Sequence, residues 1–445
     1  MKRAVWILVA LAAVACVIAG WIIYVPGATA FVGGGTVALA DYKEGSPTGV
    51  PASLASADVV TRGEYLTRAA DCEACHTAKG GVPYAGGLAF KLPFGTMYSP
   101  NITPDKETGI GNWTDADFLN AIHKGIAPDG SRFYPAFPYP SYTLLTDDDA
   151  LAIKAYLFSL KPVRQETPVN TLAFPFNQRW LMAFWSFFYN SNERYRPNPN
   201  QSAEWNRGAY LAEALGHCGE CHTPRNLLQA VNNKKKFAGA VTAGWRSYNI
   251  TQDGVSGIGS WDAETTAKFL AHGHVEGLGT ASGPMGEAID MSLRHMTSDD
   301  INALVSYLKT IPAIADTSLP LPKTMLASSF PSGHEIDENA RGAKIFAGAC
   351  AACHGWSGKS PILTYADFVG GRTVNDPTAR NVAQAIIWGV TRHTPNGVVT
   401  MPGFGGAYSD EEIAAVANYV TARFGAAKSN ITAGEIKTIG KQASQ

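Results

Sequence analysis

Behind a basic cap, Met1-Lys2-Arg3, the chain opens on an uncharged apolar run from Ala4 to Tyr24. Signal-peptide cores hold about 7–15 apolar residues, whereas a spanning helix needs about 20. The run therefore predicts an N-terminal membrane anchor, with residues 1–40 set apart as signal or anchor. The positive cap keeps its own end in the cytoplasm and sends the rest outside. A signal cleaved after Ala28-Thr29-Ala30 is one alternative, and a lipoprotein linked through Cys16 is another. All three export the chain.

Past this run, apolar residues at helical spacing form paired segments, and the pair recurs three times. The first segments carry an Arg-Gly step: Arg62-Gly63-Glu64-Tyr65-Leu66, Arg207-Gly208-Ala209-Tyr210-Leu211 and Arg341-Gly342-Ala343-Lys344-Ile345-Phe346. The second segments start at Thr146-Asp147-Asp148-Asp149, Thr297-Ser298-Asp299-Asp300 and Ser409-Asp410-Glu411-Glu412. Each start is a hydroxyl N-cap with an acid three residues on, able to satisfy free amides at a helix start. Ten residues after each cap stands a tyrosine: Tyr156, Tyr307 and Tyr419. The glycine lets the second helix cross close to the backbone of the first, and the tyrosine fills the crossing.

The first two repeats also share Asn-Ile-Thr-x-Asp (Asn101 to Asp105, Asn249 to Asp253) and Gly-Ile-Gly-x-Trp (Gly109 to Trp113, Gly257 to Trp261). These read as loop scaffolding, and the shorter third repeat lacks both. Stretches rich in Pro with Asn or Ser, Lys161 to Gln201 and Pro312 to Gly333, read as linkers. They leave units at 58–165, 202–314 and 336–426. Within the first linker, Trp180 to Tyr189 is apolar nearly all round but too short to span a bilayer. It either packs between units or touches a membrane surface or partner subunit. The tail from Lys428 to Gln445 is polar and expected to be loose.

Composition adds boundaries. The 445 residues exceed one ordinary domain, and 46 % hydrophobic with 16 % charged residues fits globular cores. A formal net charge of −1 supplies no basic face for nucleic acid. Of seven cysteines, six fall in three Cys-x-x-Cys-His elements, leaving Cys16 in the apolar run. The elements are Cys72-Cys75-His76, Cys218-Cys221-His222 and Cys350-Cys353-His354, each just after a first helix. Two thiols three residues apart can add to the two vinyl groups of haem, and the adjoining histidine then reaches the iron; this is the attachment signal of c-type haem. A zinc site needs four ligands, and here each pair stands alone. A thioredoxin-like dithiol expects a βαβ frame, and these flanks are helical. Three covalent haems c follow, with His76, His222 and His354 as iron ligands.

Methionine opposite histidine raises a haem's potential and suits an electron carrier. Met401, in Met401-Pro402-Gly403-Phe404, precedes the third cap; Met285, after Gly283-Pro284, precedes the second, with Met291 and Met296 as rivals. The first repeat has Phe137 where a methionine is expected, in Tyr134-Pro135-Ala136-Phe137-Pro138-Tyr139. Met97 is the preferred substitute; His123 or an open position are the alternatives.

On these residues the chain resembles the triple-haem cytochrome c subunits of membrane-bound bacterial dehydrogenases. The most specific pieces are Tyr98-Ser99-Pro100-Asn101-Ile102-Thr103-Pro104-Asp105, Gly109 to Trp113, His217-Cys218-Gly219-Glu220-Cys221-His222-Thr223-Pro224-Arg225 and Gly283-Pro284-Met285, within a likeness spanning Asp58 to Phe424. The repeats predict a mainly α fold of three tandem cytochrome c-type haem domains after an N-terminal membrane anchor, and that anchor departs from the family's attachment through a C-terminal amphipathic helix. The resemblance, with the export of the chain foreseen above, implies a place on the periplasmic side of the inner membrane. It also implies a catalytic dehydrogenase subunit of quinoprotein, flavoprotein or molybdenum type as partner, and ubiquinone as acceptor. By the same likeness Met285 and Met401 are distal ligands, and the chain is an electron-transfer component rather than a catalyst. Other readings are a peroxidase-like haem enzyme using an open first haem and a free shuttle to a terminal oxidase.

Overall fold

The computed structural model describes residues 2–24, 35–38, 50–92, 94–324 and 340–442. The foreseen cleavage site Ala28-Thr29-Ala30, the end of the second linker and the first residues of the third unit lie outside the described residues. A helix covers Lys2–Tyr24, with side chains described from Val5 to Val17. Among the described residues no helix is long and apolar enough to cross a membrane.

The architecture is mainly helical, and the described strands pair only in two-stranded sheets. Three crossed helix pairs dominate: Val59–Ala69 with Asp147–Ser159, Ala203–Tyr210 with Ser298–Leu308, and Ala340–Ile345 with Asp410–Phe424. The hydroxyls of Thr146, Thr297 and Ser409 accept from the amides of Asp149, Asp300 and Glu412, as cap spacing predicts. Each crossing is built on its glycine. A Cβ on Gly63, Gly208 or Gly342 would collide with the carbonyl oxygen of Ala152, Ala303 or Ala415 and lie 2.9 Å from the Cβ of Tyr156, Tyr307 or Tyr419. Only a residue without a side chain lets the two backbones approach so closely.

The first two pairs are not separate bodies. Leu66, Leu145 and Ile153 join Tyr210, Leu215, Phe237, Leu304 and Ile311 in one continuous core, while the third pair has its own around Phe346, Ala383, Ala417 and Tyr419. The seam between the first two is a near-symmetric exchange. Tyr65 donates to Asp300 (2.5 Å) and its counterpart Tyr210 donates to Asp149 (2.7 Å). Each tyrosine oxygen also accepts the cap amide of the opposite repeat, Thr297 (3.2 Å) or Thr146 (3.1 Å). Arg207 adds two bonds to Asp300, both 2.9 Å. Two of the three acids at the cap position therefore tie the repeats together, and of the three only Glu412 closes a reciprocal capping box.

The shared loop motifs are scaffolding. Asn101 and Asn249 each donate at 2.7 Å to a carbonyl just beyond their own second helix, Val163 or Ile314. The apolar segment forms a helix, Leu181–Tyr189, that packs between the first two units and keeps an exposed apolar side. Ser186 and Trp185 bond Tyr139 and the Leu228 carbonyl, while Trp180, Phe184 and Phe187 stay exposed. The tail corrects the expectation of a loose end. Residues Ala433–Gln442 are helical, and Ile431, Ile436 and Ile439 are buried in the third core. The isoleucines at 436 and 439 lie on one helical face, which overrides the polar average of the segment.

Candidate functional site

The attachment motifs form short helices, Cys72–His76, Cys218–His222 and Ala351–His354. Asp71 and His217, directly before the first two, take left-handed backbone (φ 54° and 34°) and turn the chain sharply out of the preceding helix. Each motif histidine meets a backbone carbonyl through Nδ1: His76 with Pro100 at 2.8 Å, His222 with Tyr248 at 2.6 Å, His354 with Ala366 at 2.7 Å. A carbonyl only accepts, so Nδ1 carries the proton and Nε2 keeps its lone pair. Burial lowers the pKa of all three rings and favours the neutral, ligating form.

All six motif thiols are free, and together with the three histidines they line one continuous cavity of about 1780 Å³. A pocket for one small ligand holds roughly 300–1,000 Å³, so this space suits several prosthetic groups. Burial pushes the thiols of Cys72 and Cys218 up to about 12 and those of Cys221 and Cys350 up to about 11, with Cys75 also raised. Cys75 is exposed along the cavity that it lines. Neutral thiols facing a large apolar space are poor zinc ligands and poor dithiol nucleophiles. Among the described residues no group of three or more His, Cys, Asp or Glu could hold a metal ion. The donor set fits macrocycles held by paired thioethers and one imidazole each.

The methionines foreseen as second axial ligands all reach this cavity. Met285 lies in the first turn of the helix Gly283–Met291, Met401 ends the strand Gly397–Met401, and Met97 is in the strand Gly95–Tyr98 opposite Phe90. Met291 and Met296 are not among the lining residues, and Met296 packs on the shared core. Phe137 lines the cavity and packs its ring on Phe133 and Tyr142. His123 is corrected: it is not among the lining residues, its Nδ1 is engaged by Arg194, and Asp147 stands 3.7 Å away. The buried pair Arg194–Asp147, brought in by the strand Glu193–Arg196, claims the ring that the sequence left free as an alternative.

Between the first two attachment turns lie groups that motif reading passed over. Tyr142 donates to the Ala70 carbonyl (2.8 Å) and sets its ring edge-on to His217 at 5.5 Å. Asp71 and Glu287 also face the cavity. Burial, reinforced by Glu287 and Glu73, holds the Asp71 carboxyl well above the usual range, and burial raises Glu287. The clue available for Asp71 was its place directly before a motif cysteine. For Tyr142, whose contact crosses between repeats, no single-sequence signal existed.

Residues 60–161 match the family described as Cytochrome c, and residues 337–420 match the one described as Cytochrome C oxidase, cbb3-type, subunit III. The chain is 38 % identical to the fructose dehydrogenase cytochrome subunit of Gluconobacter japonicus, covering 89 % of this chain and 86 % of that one. It is 36 % identical to the gluconate 2-dehydrogenase cytochrome c subunit of Pantoea cypripedii, covering 86 % and 90 %. It is 35 % identical to the cytochrome c subunit of the alcohol dehydrogenase (quinone) of Gluconobacter oxydans (strain 621H), covering 82 % and 79 %.

Proposed function

This chain belongs to the family of cytochrome c subunits of dehydrogenases, and from that premise we propose that it relays electrons through three covalent haems c from a catalytic dehydrogenase subunit to ubiquinone. The supporting observation is the single cavity shared by three Cys-x-x-Cys-His turns. Haem c, when bound, supplies one-electron iron chemistry. The chain does the rest. Cys72, Cys75, Cys218, Cys221, Cys350 and Cys353 would form the thioethers, and His76, His222 and His354 would ligate through Nε2. The carbonyls of Pro100, Tyr248 and Ala366 lock each ring in the ligating tautomer and strengthen it as a donor. Met285 and Met401 would complete the second and third sites, and Met97 the first. The largely apolar wall would raise potential by disfavouring the charged oxidised centre.

The apolar run from Ala4 to Tyr24 behind its basic cap supports export of the chain to the periplasmic side, with membrane attachment there. The test combines association and turnover. The full chain, extracted in detergent, should copurify with a large catalytic subunit, and its dithionite-reduced haems should be reoxidised by a short-chain ubiquinone analogue. A chain that purifies alone and stays reduced with quinone contradicts the proposal. One observation favours a second reading: Phe137, which cannot ligate iron, stands on the cavity wall at the place of an expected methionine. An open first haem would then bind carbon monoxide when reduced, and absence of carbon monoxide binding removes that reading.

A further inference from the structure

The distal side of the second site is not closed by its own repeat. Arg392, from the strand Val390–Thr394 of the third repeat, is fully buried against the helix Gly283–Met291 that carries Met285. Its Nη1 donates to the Gly286 carbonyl at 2.5 Å, and its Nη2 donates to the His272 carbonyl at 3.3 Å. The same Nη2 lies 3.1 Å from Asp290 Oδ1, and the next residue, His393, bonds Asp290 Oδ2 through its amide at 3.1 Å. Gly286 and Asp290 are four residues apart, so both grips fall on one face of the helix.

The slot is shaped for a guanidinium. A Cβ at Gly286 would lie 2.7 Å from Nη1, and one at Gly273, where φ is +68°, would collide with Nη2. Any side chain at either place would expel the arginine. Arg392 also lines the cavity beside Pro284, Met285 and Ala288. The strand carrying it pairs with Gly397–Met401, setting Val399 opposite Arg392 and Met401 opposite Val390. One hairpin thus ends on one foreseen axial methionine and clamps the helix of another.

We infer that Arg392 is a positioning residue for Met285: the third repeat reaches into the second and fixes the axial ligand of the second haem. This rests on the reading of Met285 as a ligand given above. A planar fork that donates to the Gly286 and His272 carbonyls and pairs its charge with the Asp290 carboxylate sets the height and rotation of the helix start, which a point charge on a flexible stem does not. The buried positive charge beside the site also disfavours the oxidised iron, so its removal lowers that haem's potential.

The test uses the full chain with its haems attached, and imidazole as a competitor for the methionine position on ferric iron. Arg392→Met is expected to raise imidazole affinity at one haem by roughly 10–100-fold, the equivalent of one lost bond to a charged group. That haem should also lose its methionine-to-iron charge-transfer absorption, with its potential lowered and the Met401 haem unchanged. Arg392→Lys keeps the charge without the fork, and should weaken ligation while retaining more of the potential. Should Arg392→Met fail to mature, Arg392→Lys alone decides. Met285→Leu is the reference. If it opens a haem to imidazole while both Arg392 variants bind imidazole like the parent chain, the inference is overturned. If Met285→Leu opens no haem, the ligand assignment itself fails and this inference falls with it.

Discussion

A histidine whose Nδ1 is already bonded to a carbonyl has one nitrogen left to offer, and this happens three times around one cavity. The carbonyl partners lie 24, 26 and 12 residues downstream; the first two directly precede the shared Asn-Ile-Thr segments at Asn101 and Asn249, so their loops were legible as a repeat, whereas the third carries no such marker. The second axial ligands were legible only as a short list, since methionine serves equally well as core filler. Phe137 makes the first site the place to look for unequal behaviour. Replacing it, Phe137→Met, restores a possible ligand to the Tyr134–Tyr139 loop. The expected outcome is a higher midpoint potential at the first haem, read by spectroelectrochemistry. Met97→Leu is the companion variant, expected to lower that potential and to alter that haem's spectrum. An unchanged spectrum and potential in Met97→Leu removes Met97 from the ligands.

At the scale of elements, the crossings were the most legible feature, because glycine and tyrosine at matched positions follow from backbone contact. Gly208→Ala forces a methyl group against the Ala303 carbonyl, and should cost roughly 1–3 kcal/mol or more as overpacking. Denaturant unfolding measures this, and a cost near zero would show that the helices part freely. The equivalent loops at Asp105 and Asp253 give a pH prediction. The amide and hydroxyl of Thr108 hold Asp105 below the ordinary carboxylate range, and the hydroxyl and amide of Ser256 hold Asp253 there. A depressed pKa means stability that is present above the unfolded value and lost as pH falls through the folded one. The acid limb of a melting-temperature profile should therefore be shallower in Asp105→Asn/Asp253→Asn than in the parent. An identical acid limb would assign the acid sensitivity elsewhere. The helix Ala433–Gln442 was missed because charged and small residues dilute its few isoleucines, and contact with the third core, not local propensity, makes it fold.

At the scale of the molecule, three repeats make two cores, and that count was beyond the reach of the sequence. The residues that merge the first two repeats, Tyr65 with Asp300 and Tyr210 with Asp149, look in sequence like ordinary helix-start and helix-face positions. Calorimetry of the full chain should resolve two unfolding steps, and Tyr210→Phe should lower only the one belonging to the first two repeats. A single step shifted as a whole would mean that the clamp at Arg392 couples all three. The proposed relay requires every attachment turn to face the shared cavity with haem covalently in place. Intact mass under denaturing conditions measures that directly. The account predicts the mass of the mature chain plus three haems, falling by one haem for each motif whose two cysteines are replaced by serine. A mass carrying fewer than three, or haem released by denaturation, would contradict it.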